Sequence, residues 1–479
     1  MKKTFLAITA LAAMLFAGCT SSDELTTLES IKTADNTPTP VQFGTYIGKT
    51  TRSGVSGDID AHATASTLAA KGGFGVFAYY TGASNYAGTT APNFMYNEAV
   101  TSTDNGSTWT YSPVKYWPNQ YGTGNVDNKQ GSNESDNAQS ASELGKVSFF
   151  AYGPYVSVAD PAVGTAAATT YGITGLTTNA ATTHPKVTYK LAKGQQASEG
   201  VDFVDLLWGV KTNAAPDTYN TDLTKNNAGL TSANKDGKVK FIFKHALTKV
   251  GGDNAIKAVL DIDGNGTGGD AGYGSKDATT LVTINSINIK DVEDNFVTDG
   301  DFDLATGTWE AGLADNTGDG NNIDLSFNPT GSSAIKIAGA LAEPTSPPTW
   351  DGSAWSITGV TTTATNVYDG SVDAAGKKAL YFIPSSANAQ KLKVTIQYTV
   401  RTYDAKLAAP SGETAACSKV TQTISNIVTL PTTLIKSNKK ITLVLHLGLT
   451  SVKFAAQVSD WDTPVASDIR EVWLPSNVE

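Results

Sequence analysis

The sequence predicts an all-β protein made of two tandem β-sandwich domains. Short segments with two-residue alternation of apolar and polar side chains recur at 41–47, 239–243, 393–400 and 441–447. Clusters of Gly, Asn, Asp, Ser and Thr separate them, for example at 104–106, 217–220 and 315–321. Helical periodicity with end caps is hard to find after residue 19, and no strand–helix–strand rhythm appears. This combination favours sandwiches over α/β architectures.

The first element is an export signal. Lys2 and Lys3 precede an apolar run at 5–18, and the small residue Gly18 stands directly before Cys19. The run of 14 residues (18 − 5 + 1) is shorter than the roughly 20 that cross a bilayer. We therefore expect residues 1–18 to be a cleaved lipoprotein signal peptide and Cys19 to carry lipid, with an ordinary signal peptide as the alternative.

Residues 19–39 are polar and contain few apolar side chains, as in a flexible tether. The acidic pair Asp23 and Glu24 resembles the surface-export signal of lipoproteins in Bacteroides-type bacteria. We expect an outer-membrane lipoprotein at the cell surface, and a plain periplasmic spacer is the alternative.

Composition excludes several classes of protein. The chain has 479 residues, a net charge of −10 and two cysteines, so Cys417 has no partner for an intramolecular disulfide once Cys19 is lipidated. An acidic chain is a poor match for nucleic acid, which requires a basic face. No catalytic residues and no enzymatic activity are expected, because no motif pairs a nucleophile with a base.

One loop carries metal-binding chemistry. Asp261, Asp263 and Asn265 alternate and are followed by Gly266, as at the start of a calcium loop. Gly272 stands at the twelfth position, where a bidentate glutamate is expected. Calcium is the one cofactor that the sequence suggests, and a solvated loop is the alternative.

The two sandwiches are expected at 40–238 and 239–479, with long polar surface loops at 119–143 and 310–322. Large side chains on strand-like segments should fill their cores, and His245 and His446 should be structural strand residues. The expected core aromatics are Tyr116, Trp117, Phe149, Phe150 and Trp208.

A series of blocks in fixed order resembles the fimbrillin family of type V pili. Each block joins a strand pattern with aromatic residues or proline, and together they span nearly the whole chain outside the long loops. They occupy 41–46, 115–118, 147–154, 205–209, 241–250, 380–384, 441–450 and 458–461.

The resemblance implies transthyretin-like, Greek-key sandwiches and a function in assembly. Fimbrillins are cut after the first strand by an arginine- or lysine-specific, trypsin-like protease, and a strand of another subunit fills the groove that opens. Here the displaced strand would present Val41, Phe43, Thr45 and Ile47, and cleavage would follow Arg52, with Lys49 as the alternative. The donor strand would lie at about 465–479, with Ile469, Val472, Trp473 and Leu474, unless this segment is a final edge strand of its own domain.

These features predict the precursor of a structural subunit of an adhesive fimbria, with other fimbrillin subunits as partners. An anchor or tip subunit is one alternative. Another is a monomeric surface lipoprotein that binds glycans through Trp350 and Trp355 in a polar loop.

Overall fold

A computed structural model of the chain describes residues 40–46, 65–88, 91–118, 145–160, 165–166, 172–177, 184–191, 204–211, 216–224, 238–251, 256–260, 280–292, 297, 299–310, 324–327, 335–338, 349–350, 355–356, 365–368, 379–384, 390–447, 452–460, 472–473 and 476–478. Within these ranges nearly every element is a strand, as the alternating patterns predict, and the all-β prediction is confirmed. No helix in the described part of the chain has the length and apolarity needed to span a membrane.

The described residues of the first half of the chain form eleven strands and one short helix. They are β1 Gln42–Tyr46, α1 Ala65–Ala70, β2 Phe74–Gly82, β3 Met95–Val100, β4 Lys146–Gly153, β5 Val158–Asp160, β6 Thr165–Ala166, β7 Gly172–Thr177, β8 Lys186–Lys190, β9 Leu207–Val210, β10 Asn220–Leu223 and β11 Lys238–His245.

The second half contains strands only, within the described residues. They are β12 Thr248–Gly251, β13 Ile256–Leu260, β14 Thr280–Asp291, β15 Asp299–Asp303, β16 Thr308–Trp309, β17 Asp324–Phe327, β18 Ile335–Ala338, β19 Thr349–Trp350, β20 Trp355–Ser356, β21 Thr365–Tyr368, β22 Ala379–Phe382, β23 Gln390–Tyr403, β24 Cys417–Leu430, β25 Lys439–Leu447, β26 Val452–Asp460, β27 Val472–Trp473 and β28 Ser476–Val478.

Four sheets organise these strands. Sheet 1 has the order β1-β11-β9-β4-β2-β3, with β10 on β4, and sheet 2 has the order β16-β15-β8-β7-β6-β5. Sheet 3 has the order β21-β13-β25-β12-β22, with β26 beside β25 and β27 beside β26. Sheet 4 has the order β17-β14-β23-β24-β28, with β18 on β14. A separate hairpin joins β19 to β20 and pairs Trp350 with Trp355, so both residues lie on short strands.

Three hydrophobic cores hold the sheets. One fills the space between sheets 3 and 4, and another packs sheet 1 against sheet 2. A third covers the opposite face of sheet 1, where Leu68 of α1 and Trp109 and Trp117 of a loop take part. Sheet 1 is therefore buried on both faces, which is why β2 and β4 read as nearly continuous apolar runs.

Two segments after residue 238 pair with strands before it. Strand β11 lies between β1 and β9 in sheet 1, and β15 pairs with β8 in sheet 2. Trp309 of β16 also donates a hydrogen bond from Nε1 to the Ala246 carbonyl at 2.9 Å. The division into domains 40–238 and 239–479 remains a prediction, and these pairings show extensive bonding across residue 238.

No helical pattern with end caps is evident after Cys19, and the described residues contain one short helix there, α1, of six residues. A helix this short has too few turns for a periodic pattern to show in the sequence. Leu68, which is fully buried, packs it onto sheet 1.

Candidate functional site

The first described strand lies at an edge of sheet 1. Strand β1 pairs in parallel with β11, from Gln42 opposite Lys238 to Tyr46 opposite Ile242. Among the described strands, β11 is the one that pairs with β1. A parallel neighbour at a sheet edge leaves when a single ladder of hydrogen bonds breaks, and its departure exposes the backbone groups of the strand beside it.

Two inward side chains, Val41 directly before β1 and Phe43 within it, anchor the strand in the third core. Val41 is 1 % exposed and Phe43 is 3 % exposed, whereas Gln42 between them faces solvent. The Phe43 ring lies 5.3 Å from Tyr111, 6.0 Å from Phe149 and 6.1 Å from Phe241, measured between ring centroids. Burial of each such side chain contributes about 1.5–3 kcal/mol, and suitable aromatic pairs add to it. The predicted alternation of the first strand is thus observed from Val41 to Phe43.

A loop holds the other side of β1. We call residues 101–118, which follow β3, the strap. The N–H of Val41 donates to the Lys115 carbonyl at 2.8 Å, and Pro40 forms an isolated bridge with Tyr116. The start of β1 therefore lies between β11 and the strap. On the side away from β11, hydrogen bonds to the strap replace those that a neighbouring strand would make.

Two strap side chains donate to β1. Trp109 donates from Nε1 to Thr45 Oγ1 at 2.9 Å, and the Tyr111 hydroxyl donates to the Val41 carbonyl at 2.8 Å. Burial raises the pKa of Tyr111 to about 12, so its hydroxyl keeps its proton at neutral pH. The Tyr111 hydroxyl can also donate to the Lys115 carbonyl at 3.2 Å, whereas the bond described for the Trp109 indole goes to β1.

Removal of β1 would leave a groove with defined chemistry. Its wall is the free edge of β11, its floor is formed by the rings of Phe74, Phe149 and Phe241, and its rim carries the Trp109 and Tyr111 donors. A buried Trp109 N–H without its acceptor and a bare apolar floor are both costly. Such a groove is suited to an extended strand with apolar side chains at alternate positions.

The C-terminal tail lies at two other sheet edges. In β27, Val472 and Trp473 pair with Ala456 and Ala455 of β26. Strand β28 pairs with β24 through three positions, from Asn426 opposite Val478 to Val428 opposite Ser476. The tail is therefore bonded to its own chain, and its predicted use as a donor strand stays a prediction.

Several predicted site residues lie outside the described residues. They are the lipidation site Cys19, the strand residue Ile47, the cleavage candidates Lys49 and Arg52, the calcium candidates Asp261, Asp263 and Asn265, and the tail residues Ile469 and Leu474. The long loops at 119–143 and 311–322 also fall there. These assignments stay predictions.

The prediction that Tyr116 belongs to the core was wrong. Tyr116 is 51 % exposed, while Trp117 next to it is 3 % exposed. The strap is extended where it bridges Pro40, so adjacent side chains point in opposite directions and only one of the two enters the core. Phe149, Phe150 and Trp208 are buried as predicted.

The two sheet histidines are structural, as predicted. His245, at the end of β11, is fully buried, and its Nδ1 lies 2.8 Å from Oδ2 of the equally buried Asp205. His446 is 3 % exposed and lies in β25 between Val259 and Lys453 of the neighbouring strands.

Sequence reasoning missed Trp109 and Tyr111. They lie between polar residues in a segment whose composition indicates a surface loop. Their spacing of two residues is the signal that could have identified them, because it places both rings on one side of an extended chain.

A known protein of similar length aligns with nearly the whole chain. Fimbrium subunit Fim1C of Phocaeicola vulgatus is 26 % identical over 473 residues, which are 96 % of this chain and 97 % of that protein. The chain is a homologue of a fimbrium subunit. The fimbrillin resemblance carried by the sequence blocks is thereby confirmed.

One solved structure agrees with the fold of this fimbrium-subunit homologue. A fimbrial protein from Bacteroides vulgatus matches with a TM-score of 0.51 at 23 % identity, over 88 % of this chain and 99 % of that one. No family model matches the chain.

Proposed function

We propose that this chain is the precursor of a structural subunit of a surface fimbria, and that it polymerises when β1 is exchanged for a strand of another subunit. The observation that carries the proposal is the placement of β1. It is the first described strand, it lies at the edge of sheet 1, and it is held by one strand ladder and the strap. A strand so placed can leave without disturbing the order of the remaining sheet.

The fimbrial role rests on the relatives. Fim1C is named as a fimbrium subunit and covers almost the same length, and the matching solved structure is described as a fimbrial protein. A role in fimbriae and adhesion places the chain at the cell surface, with other fimbrial subunits as partners. The names of these relatives denote no catalytic activity, in line with the lack of a nucleophile–base motif.

Cleavage between β1 and α1 would activate the subunit. Arg52 is the only arginine before residue 401, and it lies six residues after the end of β1 at Tyr46. A trypsin-like protease that cuts there would separate β1 and the lipid on Cys19 from the rest of the chain. Lys49 is the alternative site.

Sequencing the N-terminus of assembled fibres tests this step. We expect subunits in fibres to begin at Ser53, and Arg52→Ala to block assembly while Lys49→Ala does not. Fibre subunits that still begin at Cys19 would show that cleavage is not required, and the chain would then fit an anchor subunit.

Attachment to the outer membrane is tested separately. Cys19→Ser should abolish incorporation of a palmitate analogue, because lipid addition requires the thiol, whereas Cys417→Ser should not. Cys417 is buried and serves as the matched control. Labelling that persists in Cys19→Ser would contradict the lipoprotein assignment.

After cleavage and loss of β1, polymerisation requires a donor strand, and we propose that the C-terminal tail supplies it. Within the described residues, β27 and β28 form two and three pairs with their own chain, short pairings that a competing groove could replace. Their segment 465–479 is long enough to supply a strand of ordinary length. A tip subunit that accepts but does not donate a strand remains the alternative role, as does a glycan-binding monomer that uses Trp350 and Trp355.

A further inference from the structure

The strap gives the groove a way to discriminate between strands. At the position of Thr45, the nearby group is the Trp109 indole N–H, which donates to the hydroxyl oxygen at 2.9 Å. Trp109 is 7 % exposed, so an occupant without an acceptor there would leave this donor poorly solvated. Loss of such a bond weakens binding roughly five-fold to a hundred-fold.

The strap also defines the orientation of the occupant's backbone. The N–H and the carbonyl of Val41 both face the strap, where they bond to Lys115 and Tyr111. Backbone groups of successive strand residues alternate between its two edges, so Phe43 and Thr45 face the strap as well, and Gln42 and Gly44 face β11. In this chain the groove thus holds a branched apolar side chain, a large apolar side chain and a hydrogen-bond acceptor at the first, third and fifth positions.

The tail of this chain contains the same order of side chains. Val472, Leu474 and Ser476 are a branched apolar residue, a large apolar residue and a hydroxyl at alternate positions, matching Val41, Phe43 and Thr45. We propose that the groove selects this pattern, and that the tail of a second copy enters parallel to β11 with Ser476 as the acceptor for Trp109. This inference rests on the proposed function.

The outward positions of this register are compatible with β11. Trp473 would replace Gln42 opposite Lys238, where its ring can pack on the lysine side chain. Pro475 would replace Gly44, where a Cβ lies 3.2 Å from Lys238 Cδ and 3.4 Å from Lys240 Cγ, both on flexible side chains. The proline forfeits one backbone bond to β11. A register shifted by one residue would instead present Trp473, Pro475 and Asn477 to the floor and strap.

A strand-exchange assay on the full chain separates these registers. A protease site inserted between residues 47 and 64 allows cleavage while β1 stays bound, and release of a fluorescent N-terminal segment then reports exchange. The competitors are synthetic peptides of residues 465–479 with the natural sequence, Ser476→Ala, Ser476→Thr or Asn477→Ala. Each is tested on the natural chain, on Trp109→Phe and on the control Trp117→Phe, another buried strap indole.

We expect Ser476→Ala to weaken exchange at least about five-fold, and Ser476→Thr and Asn477→Ala to have little effect. The Ser476→Ala loss should disappear in Trp109→Phe and persist in Trp117→Phe. If Trp109→Phe does not fold, the comparison of Ser476→Ala with Ser476→Thr on the natural chain still decides.

If the Ser476→Ala peptide releases β1 as well as the natural peptide does, the proposed register is wrong, although the tail can still be the donor. The same conclusion follows if only Asn477→Ala weakens exchange. A different failure would reach the proposed function. If no tail peptide releases β1 while a peptide of residues 38–48 does, the tail is not the donor; if neither does, the groove does not exchange strands.

Discussion

At the scale of single residues, Phe43 anchors the first strand. Its ring is buried among four other rings, those of Phe74, Tyr111, Phe149 and Phe241. Gln42, its neighbour on the same strand, is exposed. This contrast makes the two residues a matched pair for measuring how much the side chains of β1 stabilise the precursor.

Phe43→Ala should lower the free energy of unfolding by about 3–5 kcal/mol, because the lost ring leaves a cavity in a packed core. Gln42→Ala should change it by less than about 0.5 kcal/mol. Urea denaturation of the intact precursor measures both. Similar small effects for the two variants would mean that β1 is not packed as described.

At the scale of elements, the long hairpin of β23 and β24 has an ion-pair network near its tip. Glu413 accepts from Arg401 Nε at 2.6 Å and lies 2.8 Å from Lys419 Nζ. Burial acts to raise the pKa of Glu413, but the hydrogen bonds and charges of Lys419 and Arg401 outweigh it, and the pKa lies below its ordinary value of 4.5. Arg401 and Lys419 are opposite each other near the end of the paired region, and Glu413 lies in the loop that joins the strands, so the network ties this loop to both strands.

A depressed pKa in the folded state stabilises the protein above the unfolded-state pKa, and this stabilisation is lost as the pH falls through the folded-state pKa. Glu413→Gln should therefore reduce stability by at most about 1 kcal/mol at pH 7. The difference from the natural protein should shrink once the pH drops below 4.5. Urea denaturation across this pH range measures it.

Glu310→Gln serves as the control, because Glu310 is 42 % exposed and pairs with the single lysine Lys186. Glu310→Gln should lower the free energy of unfolding at pH 7 by less than Glu413→Gln does. A Glu413→Gln effect that is constant with pH would exclude the charge as its cause.

At the scale of the whole molecule, the first and the last described strands lie on different sheets. Strand β1 completes sheet 1, whereas β27 and β28 extend sheets 3 and 4 at their edges. Removal of the tail therefore leaves the order of the other strands in every sheet unchanged. If β1 is exchanged as proposed, placement of the proposed acceptor groove and donor segment on separate sheets allows each subunit to use both at once.

A chain that ends before Asp468 should fold and be exported, accept a strand, and terminate a fibre. Mixed with cleaved full-length subunits, it should shorten the ladder of polymers on unheated gels in proportion to its dose. The full-length variant Asn477→Ala, purified and mixed in the same way, is the control and should leave the ladder unchanged. Unfolding of the truncated chain would instead identify the tail as an intrinsic edge strand, and the structural-subunit role would yield to a tip subunit or a monomer.

Local information determined the β-class of this protein and many strand positions. Two-residue alternation identified the regions of β1, β11, β23 and β25, and the Asn105–Gly106 turn, with both φ angles positive, follows from residue types that tolerate such angles. The order of blocks also sufficed to recognise a fimbrium-subunit homologue. Each of these inferences depends on residues that are close together in the chain or on the sequence of blocks.

Only the tertiary structure decided which strands are neighbours. The pairing of β1 with β11 joins residues almost 200 positions apart, and the return of β15 to β8 crosses the expected domain boundary. The strap donors Trp109 and Tyr111 were missed, and Tyr116 was misplaced, for the same reason. Alternation defines two faces of an extended segment, but which face is buried depends on the distant segment that packs against it.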